Sequence, residues 1–299
     1  MKTENSNTNS SKVLPFGEDL GGVTIIGIGL IGGSFSLVLK EKGIAKHVIG
    51  VDVNEHHCER ALHLGLVDEI LPLKEAIKKS SLIVLAIPVD SINDLLPHIL
   101  DQVDKQVVMD MGSTKQKMHD VIAYHPKRKR FVATHPMWGT EFSGPDAAVK
   151  DAFVNKAVVI CGKDDSDEDA LKLVENIYQQ IGMHLIYMDA ADHDVHAAYI
   201  SHISHLTSFA LANTVLEKER EEDAIFELAS AGFESTVRLA KSDPATWVPI
   251  FKQNRENLLD VLNEHITQLR KFKSCLEKEN YEYLQELIEH ANRIKRILK

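Results

Sequence analysis

The chain lacks several features that would direct it to a membrane, to the cell exterior or to a nucleic acid. Its three cysteines, Cys58, Cys161 and Cys275, are widely spaced and odd in number, so they predict neither a disulfide framework nor a zinc cluster. It has no apolar run of about 18 residues and no signal peptide. Positive charge is scarce, with 34 Lys and Arg against 44 Asp and Glu. These absences predict a cytoplasmic protein without membrane or nucleic-acid partners.

The most informative segment that is present is VTIIGIGLIGG, which joins an apolar strand to a helix through a glycine-rich turn. Gly27 is expected to permit the tight turn, Gly29 to let the backbone approach a pyrophosphate, and Gly32 to let the helix pack against the strand. Leu30 and Ile31 open the helix, whose positive N-terminal end would hold the phosphates. The segment predicts a dinucleotide site, although a structural turn without nucleotide is the alternative.

Asp52 strengthens the nucleotide interpretation. It ends a second apolar strand about 20 residues after Gly32, where an acid can bind the ribose 2'-hydroxyl of NAD. The first cation after Asp52 is Arg60, so a 2'-phosphate has no obvious partner. The fingerprint therefore favours NAD over NADP as the cofactor.

The pattern of the chain changes near residue 188. Before it, short β-branched runs alternate with helical patterns, which predicts a parallel sheet covered by helices on both faces. The predicted strands are 23–26, 47–51, 82–87, 106–111, 130–133, 157–161 and 184–188. Later segments have helical periodicity only. The predicted helices are 192–216, 223–241, 246–276 and 281–298.

We therefore predict an α/β protein with an N-terminal Rossmann-type dinucleotide-binding domain and an all-helical C-terminal domain. The predicted bounds are 18–188 for the first domain and 189–299 for the second, after a mobile, polar tail at 1–17. The last two helices carry apolar stripes that form either an intramolecular hairpin or a subunit interface. We expect a homodimer through the helical domain.

Ligands of such sheets bind beyond the carboxyl ends of the strands. Pro88 opens the loop after the third predicted strand, where it would cover the cofactor. Ser113 and His135 follow two further strands. Alone, Ser113 would be a helix N-cap and His135 an uncommitted loop imidazole. Together they indicate an oriented general base, which hydride transfer from an alcohol requires.

Several longer motifs make the chain similar to prephenate dehydrogenases over residues 23–275. They are HPMWGTE with SG shortly after it, SHL at 204–206, GF at 232–233, TxRxAxSxP at 236–244, and Trp247. The resemblance implies NAD-dependent oxidation and decarboxylation of prephenate to 4-hydroxyphenylpyruvate, in tyrosine biosynthesis. Arogenate dehydrogenation is the first alternative. A β-hydroxyacid dehydrogenase and a nonenzymatic NAD sensor are the others.

The resemblance also implies roles for individual residues. His135 would accept the hydroxyl proton, and Ser113 would position both His135 and the nicotinamide. Arg238 would bind a substrate carboxylate, because a guanidinium offers a planar, bidentate fork. His205 and Thr140 would contact the substrate.

Some features leave alternatives open. Arg238 could instead form a surface pair with Glu234, one helical turn earlier. Trp138, Ser208 and Ser235 depart from residues common in the family, and Ser235 stands where an acid of an ionic gate is frequent. A further group of histidines comprises His193, His196, His202 and His205. On an ideal helix the first two would face away from the last two, so we predict no metal site.

Overall fold

The computed structural model describes residues 20–219 and 230–297, and the predicted tail at 1–17 lies outside these ranges. Eight strands form one sheet in the order β3-β2-β1-β4-β5-β6-β7-β8. The strands are β1 Leu20–Ile26, β2 Ala45–Val51, β3 Glu69–Ile70, β4 Ser80–Leu85, β5 Val107–Asp110, β6 Phe131–Pro136, β7 Ala157–Cys161 and β8 His184–Met188. The helices between them are α1 Leu30–Glu41, α2 Glu55–His63, α3 Leu73–Lys79, α4 Val89–Gln102, α5 Gln116–Ile122 and α6 Glu168–Ile181.

The central strand β4 shows why this part of the chain forms a sheet covered on both faces. Leu82, Ile83, Val84 and Leu85 are all fully buried. Leu82 and Val84 join one apolar core, while Ile83 and Leu85 join the core on the other face. A continuous apolar run is typical of a strand buried on both faces. The predicted α/β class, with a Rossmann-type sheet followed by helices, is confirmed.

The last part of the sheet differs from the all-parallel arrangement that we expected. Strands β1 to β6 pair in parallel, but β7 is antiparallel to β6, and β8 is parallel to β7. A parallel return requires a crossover, usually an α-helix. The link at 137–156 contains only the short 3₁₀ turn Pro145–Ala147. The chain therefore returns in the opposite direction.

Two strand assignments also differ from the prediction. The two-residue strand β3 was missed, because so short an element carries no periodic signal. Strand β6 continues to Pro136, so Thr134 and His135 lie in the strand and not in the following loop. His135 pairs with Val159 of β7. The added antiparallel partner extends β6 to the residue that carries the candidate base.

The second part of the chain contains helices and, among its described residues, no strand. Its helices are α7 Ala190–Ala197, α8 Ile203–Glu219, α9 Ala231–Val237, α10 Pro244–Gln253, α11 Arg255–Glu277 and α12 Tyr281–Ala291. The prediction of one helix at 246–276 was wrong, because Asn254 separates α10 from α11. The start of the predicted helix 223–241, up to residue 229, lies outside the described residues, as does residue 298.

A π-helical turn at Ala198–His202 connects α7 to α8. Such turns interrupt the regular 3.6-residue period and are frequent at functional sites. The ideal-helix angles that we used for the four histidines therefore do not apply across this turn. His193 and His202 are both buried. Asn254 connects the two segments that carry these histidines. Its Nδ2 donates to the carbonyl of Asp194, the residue after His193, at 2.6 Å and to His202 Nδ1 at 3.1 Å.

Among the helices in the described ranges, none combines the length and apolar character needed to cross a bilayer.

Candidate active site

The glycine turn between β1 and α1 contains two glycines that the packing requires and one that it does not. Gly27 has φ +90°, and an added Cβ would lie 2.4 Å from the Ala86 carbonyl oxygen. A Cβ on Gly32 would lie 2.0 Å from the Gly27 carbonyl oxygen. At Gly29 the nearest atom would be 4.0 Å away. The backbone at Gly29 therefore faces open space, as an approaching phosphate requires.

The groups around this turn suit an anionic nucleotide. Helix α1 has no acidic residue in its first turn and no side-chain cap. Its first N–H groups, which include those of Leu30 and Ile31, have no carbonyl partner one turn earlier, and they carry the positive end of the helix dipole. Asp52 lies beside the turn, where Oδ2 accepts the Ile28 N–H at 2.9 Å and Oδ1 accepts the Asn54 N–H at 2.9 Å. Pro88 is the exposed residue before α4.

A chain of three side chains leads away from the candidate base. His135 Nδ1 lies 2.8 Å from His193 Nε2, and His193 Nδ1 lies 2.8 Å from Asp194 Oδ1. The exposed fractions are 7% for His135, 2% for His193 and 3% for Asp194. His135 lies on β6 and the other two residues lie on α7. These three side chains therefore come together only where the sheet and the helical part are in contact.

The other ring nitrogen of His135 is accessible. Among the described residues, four side-chain atoms are buried without a hydrogen-bond partner, and His135 Nε2 is not among them. It must therefore either form a hydrogen bond or contact solvent. Within the described ranges, His135 Nε2 forms no hydrogen bond. We infer that Nε2 keeps contact with solvent and is open to a substrate.

Burial controls the protonation of these imidazoles. Burial lowers the pKa of His135 well below 6.5, and neighbouring His193, Lys115 and His202 lower it further. Burial also lowers the pKa of His193, against an opposing effect of Asp194. The pKa of His202 is lowered to about 4, chiefly by burial. At neutral pH all three rings are uncharged, and His135 is able to accept a proton.

A buried ion pair fixes the loop that follows β5. Lys115 and Asp110 are both fully buried, and Lys115 Nζ donates to Asp110 Oδ2 and, at 2.6 Å, to the Gly112 carbonyl. Asp110 Oδ1 accepts the Thr134 N–H at 3.0 Å. Removing one partner of such a pair costs about 3–5 kcal/mol. The pair therefore fixes the residues after β5 relative to those at the end of β6.

Ser113 lies in this loop and is half-buried. Within the described residues it makes no side-chain hydrogen bond to His135, which is bonded to His193. The proposed action of Ser113 on His135 and on the nicotinamide stays a prediction.

His205 lies further along the helical part, against Trp247. The two rings stack with their centroids 3.4 Å apart and their planes at 23°. His205 Nδ1 lies 3.1 Å from the Ser201 carbonyl and donates to it, so Nε2 is the free acceptor of the neutral ring. Burial lowers the pKa of His205, and Arg238 contributes to this lowering. The electrostatic effect of Arg238 indicates that these two predicted substrate residues are neighbours.

Arg238 forms an ion pair that the sequence did not predict. Its Nη1 donates to Glu141 Oε2 at 2.6 Å, and the two side chains are 48% and 11% exposed. Glu234, the partner that we considered from helical spacing, lies 3.5 Å from Lys241 instead. Thr140, adjacent to Glu141, is exposed and accepts the Phe142 N–H at 3.3 Å. A guanidinium from the helical part thus faces the loop that follows the candidate base.

A second contact joins the two parts of the chain near the strand ends. Gln253 accepts the Thr114 hydroxyl at 2.7 Å and donates to Asp90 Oδ1 at 2.6 Å. Thr114 follows β5, and Asp90 lies in the first turn of α4 just after Pro88. The loops after two neighbouring strands are therefore held by a single helical side chain.

Several residues of the site were missed by sequence reasoning. They are His193, Asp194, Lys115, Asp110 and Glu141. An adjacent His and Asp at the start of a helix was the signal available for the first two, but we considered His193 only as a metal ligand. In the part of the chain that the structure describes, no group of three or more His, Cys, Asp or Glu side chains could hold a metal ion.

Comparisons with known proteins agree with this architecture. A model described as "Prephenate dehydrogenase, nucleotide-binding domain" matches residues 35–187, and one described as "Prephenate dehydrogenase, dimerization domain" matches residues 189–290. The prephenate dehydrogenase of Bacillus subtilis is 29% identical over 266 residues, which are 88% of this chain and 72% of that protein. The cyclohexadienyl dehydrogenase of Zymomonas mobilis is 28% identical, over 93% of this chain and 96% of that protein.

The fold is also similar to a solved structure. This is a prephenate dehydrogenase from A. aeolicus in complex with hydroxyphenyl propionate and NAD⁺. It has a TM-score of 0.83 and 28% identity, over 94% of this chain and 99% of that one. The likeness extends over both parts of the chain and is not confined to the nucleotide-binding sheet.

Proposed function

The chain belongs to the prephenate dehydrogenase family, and on that premise we propose that it oxidises prephenate with NAD to 4-hydroxyphenylpyruvate, carbon dioxide and NADH. The single observation that carries this proposal is His135 at the end of β6, a buried imidazole whose Nδ1 is bonded to His193 and whose Nε2 makes no hydrogen bond within the described residues. Oxidation of an alcohol requires a base to take the hydroxyl proton as the carbon loses hydride.

The glycine turn and Asp52 fit NAD. The turn leaves open space at Gly29, and the start of α1 offers N–H groups to a pyrophosphate. Asp52, which lies beside the turn, would bind the ribose hydroxyl and disfavour a 2'-phosphate. The structure of the A. aeolicus relative contains NAD⁺. When bound, NAD supplies the acceptor for the hydride.

The residues of this chain would then act in a defined order. Arg238 gives up its ion pair with Glu141 and binds a carboxylate of the dianionic substrate. His205 and Thr140 contact the substrate near Arg238. His135 Nε2 accepts the proton of the ring hydroxyl while hydride leaves the ring carbon that bears this hydroxyl. Loss of the ring carboxylate as carbon dioxide leaves an aromatic phenolate, and the His135 imidazolium returns the proton to its oxygen to give the phenol.

Arogenate is the second candidate substrate. It shares the cyclohexadienyl ring of prephenate and differs by an amino group in place of the side-chain keto group. The similarity to the Zymomonas mobilis cyclohexadienyl dehydrogenase, a name that covers both compounds, favours testing it.

The test is to supply the purified protein with NAD and either substrate, following NADH absorbance and identifying the product. We expect turnover with prephenate and formation of 4-hydroxyphenylpyruvate. Turnover of arogenate alone would replace the proposed substrate. Absence of turnover with both would contradict the proposed dehydrogenation.

We also propose that the helical residues 189–299 bind substrate and form a homodimer, while residues 18–188 bind NAD. Exposed apolar residues in α12 and in the 3₁₀ turn after it include Tyr281, Ile288 and Ile294. The matching domain of the family is described as a dimerization domain. Light scattering should give about twice the 33.4 kDa chain mass. A mass equal to one chain would contradict the dimer.

A further inference from the structure

Two buried residues beside the candidate base have no role in the mechanism above. Asp194 Oδ1 lies 2.8 Å from His193 Nδ1 and also accepts the Lys115 N–H at 2.8 Å. Asp194 Oδ2 accepts the Gln116 N–H at 3.0 Å. The two backbone N–H groups at the start of α5 therefore hold the carboxylate in one orientation, which aims it at His193.

The positions of the protons follow from this arrangement. A carboxylate only accepts hydrogen bonds, so the proton of neutral His193 must be on Nδ1, facing Asp194. His193 Nε2 then has a lone pair and can only accept. His135 Nδ1, at 2.8 Å, must be the donor of that hydrogen bond. The proton of neutral His135 is thereby placed on Nδ1, and Nε2 is left with a lone pair.

We propose that His193 and Asp194 are positioning residues that hold His135 as the Nδ1–H tautomer, so that its accessible Nε2 is the atom that accepts the substrate proton. This inference deepens the proposed function and rests on His135 being its base. The opposite tautomer of His135 would leave two ring lone pairs facing each other, or would require His193 to turn a lone pair towards the Asp194 carboxylate. Both arrangements leave a buried polar group without a partner.

The hydrogen bond of His135 to His193 persists when positive charge forms on His135 during reaction. When Nε2 takes the hydroxyl proton, His135 becomes an imidazolium in a buried position. Its Nδ1–H still donates to His193, and the Asp194 carboxylate lies at the far side of that ring. These hydrogen bonds run from His135 on β6 to His193 and Asp194 on α7. The base therefore reaches its active tautomer only when the helical part is docked on the sheet.

Two variants at residue 193 separate positioning from packing. In His193→Gln, the amide oxygen can reach roughly the place of Nε2 and accept the His135 proton. His193→Leu fills a similar volume without an acceptor. We expect kcat to fall at least about 10-fold in the Leu variant, a part of the factor of about 10²–10⁴ that a general base contributes. The Gln variant should recover most of that loss, with both KM values within about 3-fold of wild type.

A merely structural role would give a different pattern. Both variants would then lose thermal stability or change KM, and Gln would have no advantage over Leu in kcat. Equal kcat values for the Gln and Leu variants would overturn the proposal.

The tautomer itself can be read without any assay of activity. We propose two-bond ¹H–¹⁵N correlation spectra of the full-length protein labelled with ¹⁵N-histidine, with the His135 signals identified by their loss in His135→Asn. The expected pattern is that of an Nδ1–H imidazole. In Asp194→Asn, the amide can donate to His193 Nδ1, and the His135 pattern should change to Nε2–H.

An Nε2–H pattern in the wild-type protein would overturn the inference. If Asp194→Asn does not fold, the wild-type spectrum and the two variants at residue 193 still decide the question. An Nδ1–H pattern in a protein that turns over neither prephenate nor arogenate would contradict the proposed function and leave the tautomer assignment intact. The failures of the two proposals are therefore distinguishable.

Discussion

The two ends of the candidate site differ in how completely the protein itself satisfies their polar groups. At one end, His135, His193 and Asp194 are almost completely buried and bonded to one another in a single orientation. At the other end, Arg238 is 48% exposed and has an ion pair with Glu141. Buried interactions are little screened, whereas exposed ion pairs are worth about 1 kcal/mol or less.

This difference matches the tasks that the two ends would perform. A base must begin every turnover with the same tautomer and the same charge, and the buried hydrogen bonds from His135 through His193 to Asp194 provide both. A residue that binds a carboxylate must exchange its partner, and an ion pair whose guanidinium is about half exposed to solvent permits the exchange. The glycine turn also combines a closely packed position with an open one, because protein atoms surround Gly32 and leave space at Gly29.

The largest expected effect is at the buried end. In His135→Asn, the new amide can still donate to His193 Nε2, while the Nε2 base is removed. We expect kcat to fall about 10²- to 10⁴-fold, with little change in the affinity for NAD or prephenate. Steady-state kinetics and binding titrations would measure both. A kcat near that of wild type would remove His135 as the base and end the contrast between the two regions.

At the exposed end, Arg238→Gln should act mainly on binding. A charged hydrogen bond to a carboxylate is worth about 1.5–3 kcal/mol, so the KM for prephenate should rise about 10- to 150-fold. The matched control is Lys241→Gln, which removes a nearby cation that is paired with Glu234. Its KM should stay near that of wild type. An equal effect of both variants would mean that Arg238 contributes only general positive charge.

The glycine turn offers a comparison within one loop. In Gly32→Ala, the new Cβ would meet the Gly27 carbonyl, and we expect a loss of about 1–3 kcal/mol in the free energy of unfolding. In Gly29→Ala the Cβ meets no protein atom closer than 4.0 Å, so stability should not change. The KM for NAD should nevertheless rise about 10-fold, which corresponds to about 1.4 kcal/mol. Unchanged NAD kinetics in Gly29→Ala would place the pyrophosphate elsewhere.

The sequence predicted the parts of the molecule that local patterns encode. The glycine turn, Asp52, seven of the eight strands and the change to helices near residue 188 all have local signals. The antiparallel β7 was not predictable from strand patterns, because direction depends on the link between strands. The π turn at Ala198–His202 was not predictable either, since the periodicity assumes a regular helix.

The site was harder to predict than the fold, because its main contacts join distant elements. His135 and His193 are on β6 and α7, and Arg238 and Glu141 come from the helical part and from the loop after β6. Helical spacing gave Glu234 as the partner of Arg238, since spacing reports only neighbours on one helix. Motif similarity identified His135 and Arg238 as important, but only the docking of the two parts of the chain identifies their partners.

The pH dependence of kcat/KM for prephenate tests the central claim most directly, because its acid limb reports the pKa of the essential base in the free enzyme. Burial, together with His193, Lys115 and His202, lowers the pKa of His135. Activity should therefore be lost only as the pH falls clearly below 6.5, in initial rates corrected for reaction without enzyme. An acid limb at or above pH 6.5 would contradict a buried, neutral His135 as the base.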